Sequence, residues 1–207
     1  MKYLKYFENI NYSNKKLTTF KDLNISYNID DNFDCSHNEL TSLEHGPERV
    51  YGDFNCGYNE LSSLEYGPVT VTGDYICQYN NLSSLEFCPT EIDGSFNCQG
   101  NQLRTLEYMP KEVGWGFNCS SNLLTQLEMD MEKINGDFNC SSNKLSDLYK
   151  CPKIVNGNFD CSNNRLTDLG FKPQIVGGSF FCYDNDWSNP IPYNTITKFN
   201  INIDDIY

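Results

Sequence analysis

Val50-Tyr51-Gly52-Asp53-Phe54-Asn55-Cys56-Gly57-Tyr58-Asn59-Glu60-Leu61-Ser62-Ser63-Leu64-Glu65-Tyr66-Gly67-Pro68 decides the fold, because the chain repeats it. Cys35, Cys56, Cys77, Cys98, Cys119, Cys140, Cys161 and Cys182 follow one another at intervals of 21 residues without a slip. An aromatic residue stands two before each of them: Phe33, Phe54, Tyr75, Phe96, Phe117, Phe138, Phe159 and Phe180. An asparagine stands three after, from Asn38 to Asn185. Leucines follow at five after (Leu40 to Leu166, then Trp187) and at eight after (Leu43 to Leu169). A proline stands twelve after, with Met131 once in its place, and Val or Ile fifteen after. Self-similarity at such a period marks a stacked coil architecture.

Each column has a physical reading. Phe-x-Cys alternates with period two, so both side chains face the core from one short strand. The asparagine carries donors and an acceptor, which suits it to close the turn after the strand. Repeated in every coil, it predicts a side-chain ladder. The leucines fill the interior, and the proline sits on the outer return. A glycine four before the cysteine (Gly52, Gly73, Gly94, Gly136, Gly157, Gly178) lets the chain turn tightly into the strand, and Trp115 replaces it in one coil. The prediction is a β-rich solenoid with short parallel strands on a concave face, extended convex returns and a cap at each end. Its boundaries are 1–28 for an N-terminal cap with a degenerate coil, 29–182 for the 21-residue coils, and 183–207 for the last coil and C-terminal cap. In the first segment Leu17-Thr18-Thr19-Phe20 echoes Leu-Thr-Ser-Leu. In the last, Ile191, Ile196, Phe199, Ile201, Ile203 and Ile206 alternate in a way that suits a covering strand.

Composition agrees. Hydrophobic residues make up 39% of the 207, low for a compact globule but sufficient where each coil buries a few side chains against its neighbours. Ten cysteines would ordinarily imply a disulfide framework or a metal site, but one linear column neither pairs nor converges. The expected state is a ladder of reduced, buried thiols about 4.8 Å apart. Cys88 and Cys151 share a second column three coils apart, roughly 14 Å, too far to bridge.

The string Phe-x-Cys-x-x-Asn-x-Leu-x-x-Leu resembles the second half of the leucine-rich-repeat signature, with cysteine in an apolar slot. The short unit with a proline-bearing return resembles the bacterial class of these repeats, found in secreted effectors. The variant Gly-Asp-Phe-Asn-Cys-Ser followed by Asn-x-Leu-Thr-Ser-Leu-Glu is most similar to repeat proteins of large tailed phages and some bacteria. The resemblance covers roughly residues 29–189. It departs at the signature's first leucine, which falls on Tyr51, Thr72 and Asp93, with Val or Ile one place earlier taking up the burial. The resemblance implies a protein-binding scaffold, with a host or defence protein as its target.

Nothing in the chain reads as catalytic. His37 and His45 are the two histidines, and neither has a nucleophile setting beyond the repeat. Gly114-Trp115-Gly116 is too short for a nucleotide fingerprint. No enzyme activity, cofactor or metal is expected. A formal net charge of −13 disfavours nucleic acid and anionic membranes as ligands and favours a protein with a basic surface. Met1 to Ser13 holds no apolar run of signal-peptide length, and no apolar stretch is long enough to span a membrane, so the expected compartment is the cytoplasm, that of the host for a phage-encoded chain.

Departures from the repeat nominate the contact residues. His37, Tyr58 and Tyr79 stand two places after consecutive cysteines, with Ile76 and Gln99 beside them. Trp115 replaces a glycine, and Phe181 is a second apolar departure. The strand-flanking columns, Asp53, Asp74, Ser95, Asp137 and Asn158 in one and Asp34, Asn55, Asn97, Asn118, Asn139 and Asp160 in the next, read as a solvated amide-and-acid face. An acidic stripe follows the last leucine: Glu44, Glu65, Glu86, Glu107 and Glu128, beside His45, Tyr66, Phe87, Tyr108 and Met129. Protein recognition is the leading function. The alternatives are an acidic decoy that mimics DNA for a nucleic-acid-binding protein, and a structural component of a particle.

Overall fold

The computed structural model describes residues 10–188 together with Ile191, Thr195, Lys198 and Phe199. Phe-x-Cys forms strands only two residues long, since a bend stands at either end. Eight of them follow Ile10–Asn11 in one nine-stranded parallel sheet, in unbroken chain order to Phe180–Phe181. The register is constant, with aromatic opposite aromatic, as in Phe54↔Tyr75 and Phe117↔Phe138. The chain is a parallel β-solenoid of the leucine-rich-repeat type. Among the described residues, no helix is long and apolar enough to cross a membrane.

The repeat columns form the core. All eight cysteines of the main column, the aromatics two before them and both leucine columns are buried. Each fully buried Phe or Leu contributes roughly 1.5–3 kcal/mol, and stacking the coils makes those contributions continuous. From Phe33 to Phe180 the aromatic rings follow one another at centroid distances of 5.0–6.1 Å. The thiols of Cys35, Cys77, Cys98, Cys119, Cys140 and Cys161 donate towards a carbonyl of the following coil, as Cys35 Sγ does to Asn55 O at 3.3 Å. Burial pushes the Cys77 and Cys119 thiols up to about 12.

The asparagine ladder closes each turn. Asn80 Nδ2 donates to Cys56 O, Cys77 O and Gln78 O at 3.0, 3.1 and 3.3 Å, and Asn80 Oδ1 accepts the Leu61 N–H at 3.0 Å. One amide thus ties two coils together.

The returns hold an architectural difference from the sequence reading. They are not merely extended. The Val/Ile column also forms two-residue parallel strands, five from Asn28–Ile29 to Glu112–Val113 and three from Lys133–Ile134 to Ile175–Val176. The ladder breaks between Glu112–Val113 and Lys133–Ile134, at the coil where Met131 replaces proline. Met129 and Met131 turn inward there, 4% and 9% exposed.

At the N-terminal end, Ile10 pairs with Phe33, so the first coil is longer than the 21-residue unit. Tyr12 and Phe20 pack on Phe33 at 5.7 and 5.9 Å. At the other end the covering-strand expectation is corrected where it can be read: Thr195, Lys198 and Phe199 have helical backbone, and Phe199 packs on Phe180 at 5.1 Å. Ile196, Ile201, Ile203 and Ile206 lie outside the described residues.

Candidate functional site

The turn after six of the long-sheet strands is built by a carboxylate or amide one residue before the cysteine. Asp34 Oδ1 accepts the Ser36 N–H at 2.9 Å, Asn55 Oδ1 that of Gly57 at 3.0 Å, and Asn97 Oδ1 that of Gln99 at 3.1 Å. The next residue is driven into the left-handed region: His37, Tyr58, Tyr79, Gly100, Ser121, Ser142, Asn163 and Asp184 have φ of 51–66°. Glycine, asparagine and aspartate take that backbone readily, and bulky residues do not. Three consecutive coils nevertheless put a ring there. His37 and Tyr58 stack at 4.2 Å, Tyr58 and Tyr79 at 4.7 Å. The stack ends over Gly100, where a Cβ would lie 2.5 Å from the Tyr79 ring. Tyr58 and Tyr79 remain 40% and 41% exposed.

The structure thus brings His37, Tyr58 and Tyr79 together. Ile76 is half-buried on the strand between Asn55 and Asn97, where it replaces the turn-building amide. Gln99 is half-buried, and its Oε1 accepts from Asn118 Nδ2 at 3.4 Å. Trp115 and Phe181 stand apart from this platform. Trp115 is 64% exposed beside a shallow groove of about 490 Å³ lined by Asn97, Asn118, Asp137 and Asn139. Phe181 belongs to the last strand, exposed with Tyr183 near the C-terminal end.

The strand-flanking polar columns differ from the solvated face expected of them. Asp53 Oδ1 accepts the Asp74 N–H at 2.8 Å, Asp74 Oδ1 the Ser95 N–H at 2.7 Å, and Asp137 Oδ1 the Asn158 N–H at 2.6 Å. These carboxylates satisfy backbone donors of the next coil, so much of the acid on this face is structural.

A second left-handed turn lies on the return. Ser42, Ser63, Ser84 and Thr105 each accept the N–H of a glutamate two residues on: Glu44, Glu65, Glu86 and Glu107, at 3.0–3.1 Å. His45, Tyr66, Phe87 and Tyr108 follow with φ of 64–70°. The charge of Glu65 lifts the Tyr66 phenol above its ordinary value, and that of Glu107, then Glu86, lifts Tyr108. His45 Nε2 lies 3.7 Å from Glu44 Oε1.

Glu128 departs from the stripe. Gln126 stands where the short hydroxyls stand, and the left-handed residue moves forward onto Glu128 itself, φ 46°. Its neighbour Met129 is buried rather than displayed. Four glutamates, not five, share one turn geometry.

Between the return rings lies a groove of about 600 Å³, lined by Tyr27, His45, Glu48, Tyr66, Val69, Phe87 and Cys88 among others. Sequence reasoning missed Tyr27 and Val69, which are 56% and 58% exposed. Val69 carried a signal: it follows Pro68 where other coils have Glu48, Thr90 and Lys111. Cys88 and Cys151 are half-buried, and Cys151 Sγ donates to Phe171 O at 2.9 Å. Burial pushes the Cys151 thiol up to about 12, which suppresses the reactive thiolate. Among the described residues, no group of three or more His, Cys, Asp or Glu side chains is placed to hold a metal ion.

No protein-family model matches the chain, and no curated protein matches it in sequence. Among solved structures, YopM from Yersinia enterocolitica WA-314 is similar, with a TM-score of 0.54 and 20% identity over 75% of this chain. The match covers 38% of YopM, so the chain spans well under half of that protein's length. At this identity the likeness is one of fold.

Proposed function

We propose that this solenoid is a non-enzymatic protein-recognition scaffold whose partner presents a basic surface. One observation carries the reading: rings occupy backbone positions that favour glycine, and they are left exposed there. Tyr58 and Tyr79 on one side, Tyr66, Phe87 and Tyr108 on the other, add little to the core while sitting at costly φ. Exposed, pre-positioned aromatics are what interface hot spots are made of. The resemblance of the repeat unit to phage-encoded repeat proteins supports a bacterial host factor, a defence component included, as the partner, and the cytoplasm as the place of encounter.

The acidic-decoy reading is less well supported. A decoy needs free carboxylates in a regular array, whereas Asp53, Asp74 and Asp137 are held by backbone N–H groups.

The test is quantitative capture from bacterial lysate with the intact chain, with Tyr58→Ala/Tyr79→Ala and with Glu65→Lys/Glu86→Lys. Loss of one captured protein in either double variant identifies the working surface. Retention in both overturns the reading. Capture that survives a rise in salt from about 0.1 to 0.5 M argues for an aromatic interface over a decoy.

A further inference from the structure

We propose that the groove beside Trp115 binds an N-acetylated amino sugar, whose acetamido carbonyl takes the place of the side chain that Gly116 lacks. The site lies apart from both ring series and goes beyond the recognition reading above without resting on it.

A second side-chain ladder runs beside that of the asparagines. Three residues before the cysteine, a side-chain oxygen accepts the N–H of its counterpart in the next coil. Asn32 Oδ1 accepts the Asp53 N–H at 2.7 Å, and the series continues through Asp53 and Asp74 to Ser95, whose Oγ accepts the Gly116 N–H at 3.3 Å. It resumes with Asp137 and Asn158, which accept from Asn158 and Ser179 at 2.6 and 2.8 Å. Between the two runs stands Gly116, with no side chain to offer. Among the described residues nothing accepts the Asp137 N–H.

The gap is one side chain wide. The point where a Gly116 Cβ would stand lies 3.6 Å from Asp137 N and 3.7 Å from Ser95 Oγ. It opens into the groove of about 490 Å³, which Ser95, Gly116 and Asp137 line together with Trp115. A groove of that size suits a small ligand. The coil that loses its rung is thus the coil that carries an exposed indole where other coils have glycine.

The chemistry of the rung selects the ligand. Backbone donors call for acceptors, and elsewhere on this ladder the acceptor is an amide, carboxylate or hydroxyl oxygen. A carboxylate or phosphate entering at Gly116 would meet the Asp137 side chain in a chain of net charge −13, and no lysine or arginine lines the groove to offset it. An amide carbonyl is neutral, and the ladder itself uses one at Asn32 and Asn158. An acetamido group is the same amide carried on a sugar ring. That ring has a C–H face to lay on an indole and hydroxyls that both donate and accept. The polar side chains around the gap are half used. Asn139 Oδ1 takes the N–H and O–H of Ser141 and leaves Nδ2 to donate, and Asp137 Oδ1 takes the Asn158 N–H and leaves its other oxygen to accept. An extended peptide fits less well, because the strand backbone along the groove is already paired in the sheet and offers it a single N–H.

The test is calorimetric titration of the intact chain with the trimer of N-acetylglucosamine and with N-acetylgalactosamine, against cellotriose, whose rings lack acetamido groups. Saturable binding of an acetylated sugar is expected, with cellotriose weaker by about tenfold or more. Trp115→Ala should weaken it about tenfold or more. Gly116→Asn, which restores the rung that Asn32 and Asn158 supply, should abolish it while circular dichroism shows the coil stack retained. Gly116→Ser, with the shorter rung of Ser95, repeats that test with a smaller side chain. Tyr58→Ala/Tyr79→Ala should leave binding unchanged. No saturation by either acetylated sugar at about 5 mM, equal binding of cellotriose, or full binding by a folded Gly116 variant overturns the proposal. If a protein captured from lysate is lost on Trp115→Ala while both sugars fail, the gap takes a protein side chain and the sugar assignment falls.

Discussion

At the scale of single residues, the asparagines concentrate the most structural consequence in the fewest atoms. Asn101 Nδ2 donates to Cys77 O, Cys98 O and Gln99 O, and its Oδ1 accepts the Leu82 N–H, all between 3.0 and 3.3 Å. Removing the amide strands several buried backbone groups at once, each of which costs about 1–3 kcal/mol unpaired. Asn101→Ala should therefore destabilise the chain by roughly 3 kcal/mol or more, read from the urea midpoint by circular dichroism. Asn101→Asp should be at least as harmful at neutral pH, since a carboxylate would face converging carbonyls. Tyr75 runs the other way. Its neighbours in the ring column are phenylalanines, and its hydroxyl is buried with no hydrogen-bond partner. Tyr75→Phe should raise stability by about 1 kcal/mol in the same assay, and a loss of that size would mean the hydroxyl is satisfied after all. The asparagine column was legible because the spacing alone names it. The stranded phenol was not, because its fate depends on how far one oxygen reaches into one coil.

At the scale of elements, the bend into the long-sheet strand explains both its glycines and its exception. A Cβ at Gly73 would lie 2.2 Å from Asp53 Oδ1 and 2.6 Å from the Gly52 carbonyl carbon. Backbone cannot yield that distance, so Gly73→Ala should cost about 3 kcal/mol or more in chemical denaturation. Trp115 escapes because the preceding coil carries Ser95, whose shorter side chain replaces the carboxylate, and because Gly114 and Gly116 flank it. Its ring projects into solvent, so Trp115→Ala should shift the midpoint by no more than about 0.5 kcal/mol. Two features of the elements escaped the sequence reading for physical reasons. The strand-flanking acids look solvated when only their own strand is considered, and their acceptors become necessary once the next coil's N–H groups sit 21 residues away. The return strands span two residues each, too short for any periodicity to announce. Glu128 and Met129 were read in register because the spacing is preserved there, but the turn that fixes the register uses a short side-chain acceptor, Ser, Thr or Asp, in place of which stands the longer Gln126.

At the scale of the molecule, the repeat was legible almost entire, from the buried column to the coil count, because one period governs core, turn and return together. The candidate surfaces were legible as departures from that period. Their grouping was not, since the stacking of His37 with Tyr58 and Tyr79 and the openness of the return groove are matters of rotamer and backbone sign. The column of thiols has a consequence for the whole chain. Buried cysteines are held protonated, at about 12 for Cys77 and Cys119 against an ordinary value of 9.0. The unfolded chain therefore releases these protons first as pH rises. Stability from this source is full below about pH 9 and declines from there towards pH 12, at about 1.4 kcal/mol per pH unit for each thiol. With seven thiols of the column, Cys35 to Cys161, all raised by burial, unfolding followed by circular dichroism should become abruptly easier above pH 9. A midpoint that is flat from pH 8 to 11 would mean the thiols are not sealed from solvent. The interrupted ladder near Met131 bears on shape. One edge of the stack is stitched from end to end, and the other is slit once, between Val113 and Lys133. Across the slit, the bond from Asn135 Nδ2 to Gly114 O at 3.1 Å stands in for the missing strand pairing, so the outer surface is held there by a side chain where every neighbouring coil is held by backbone.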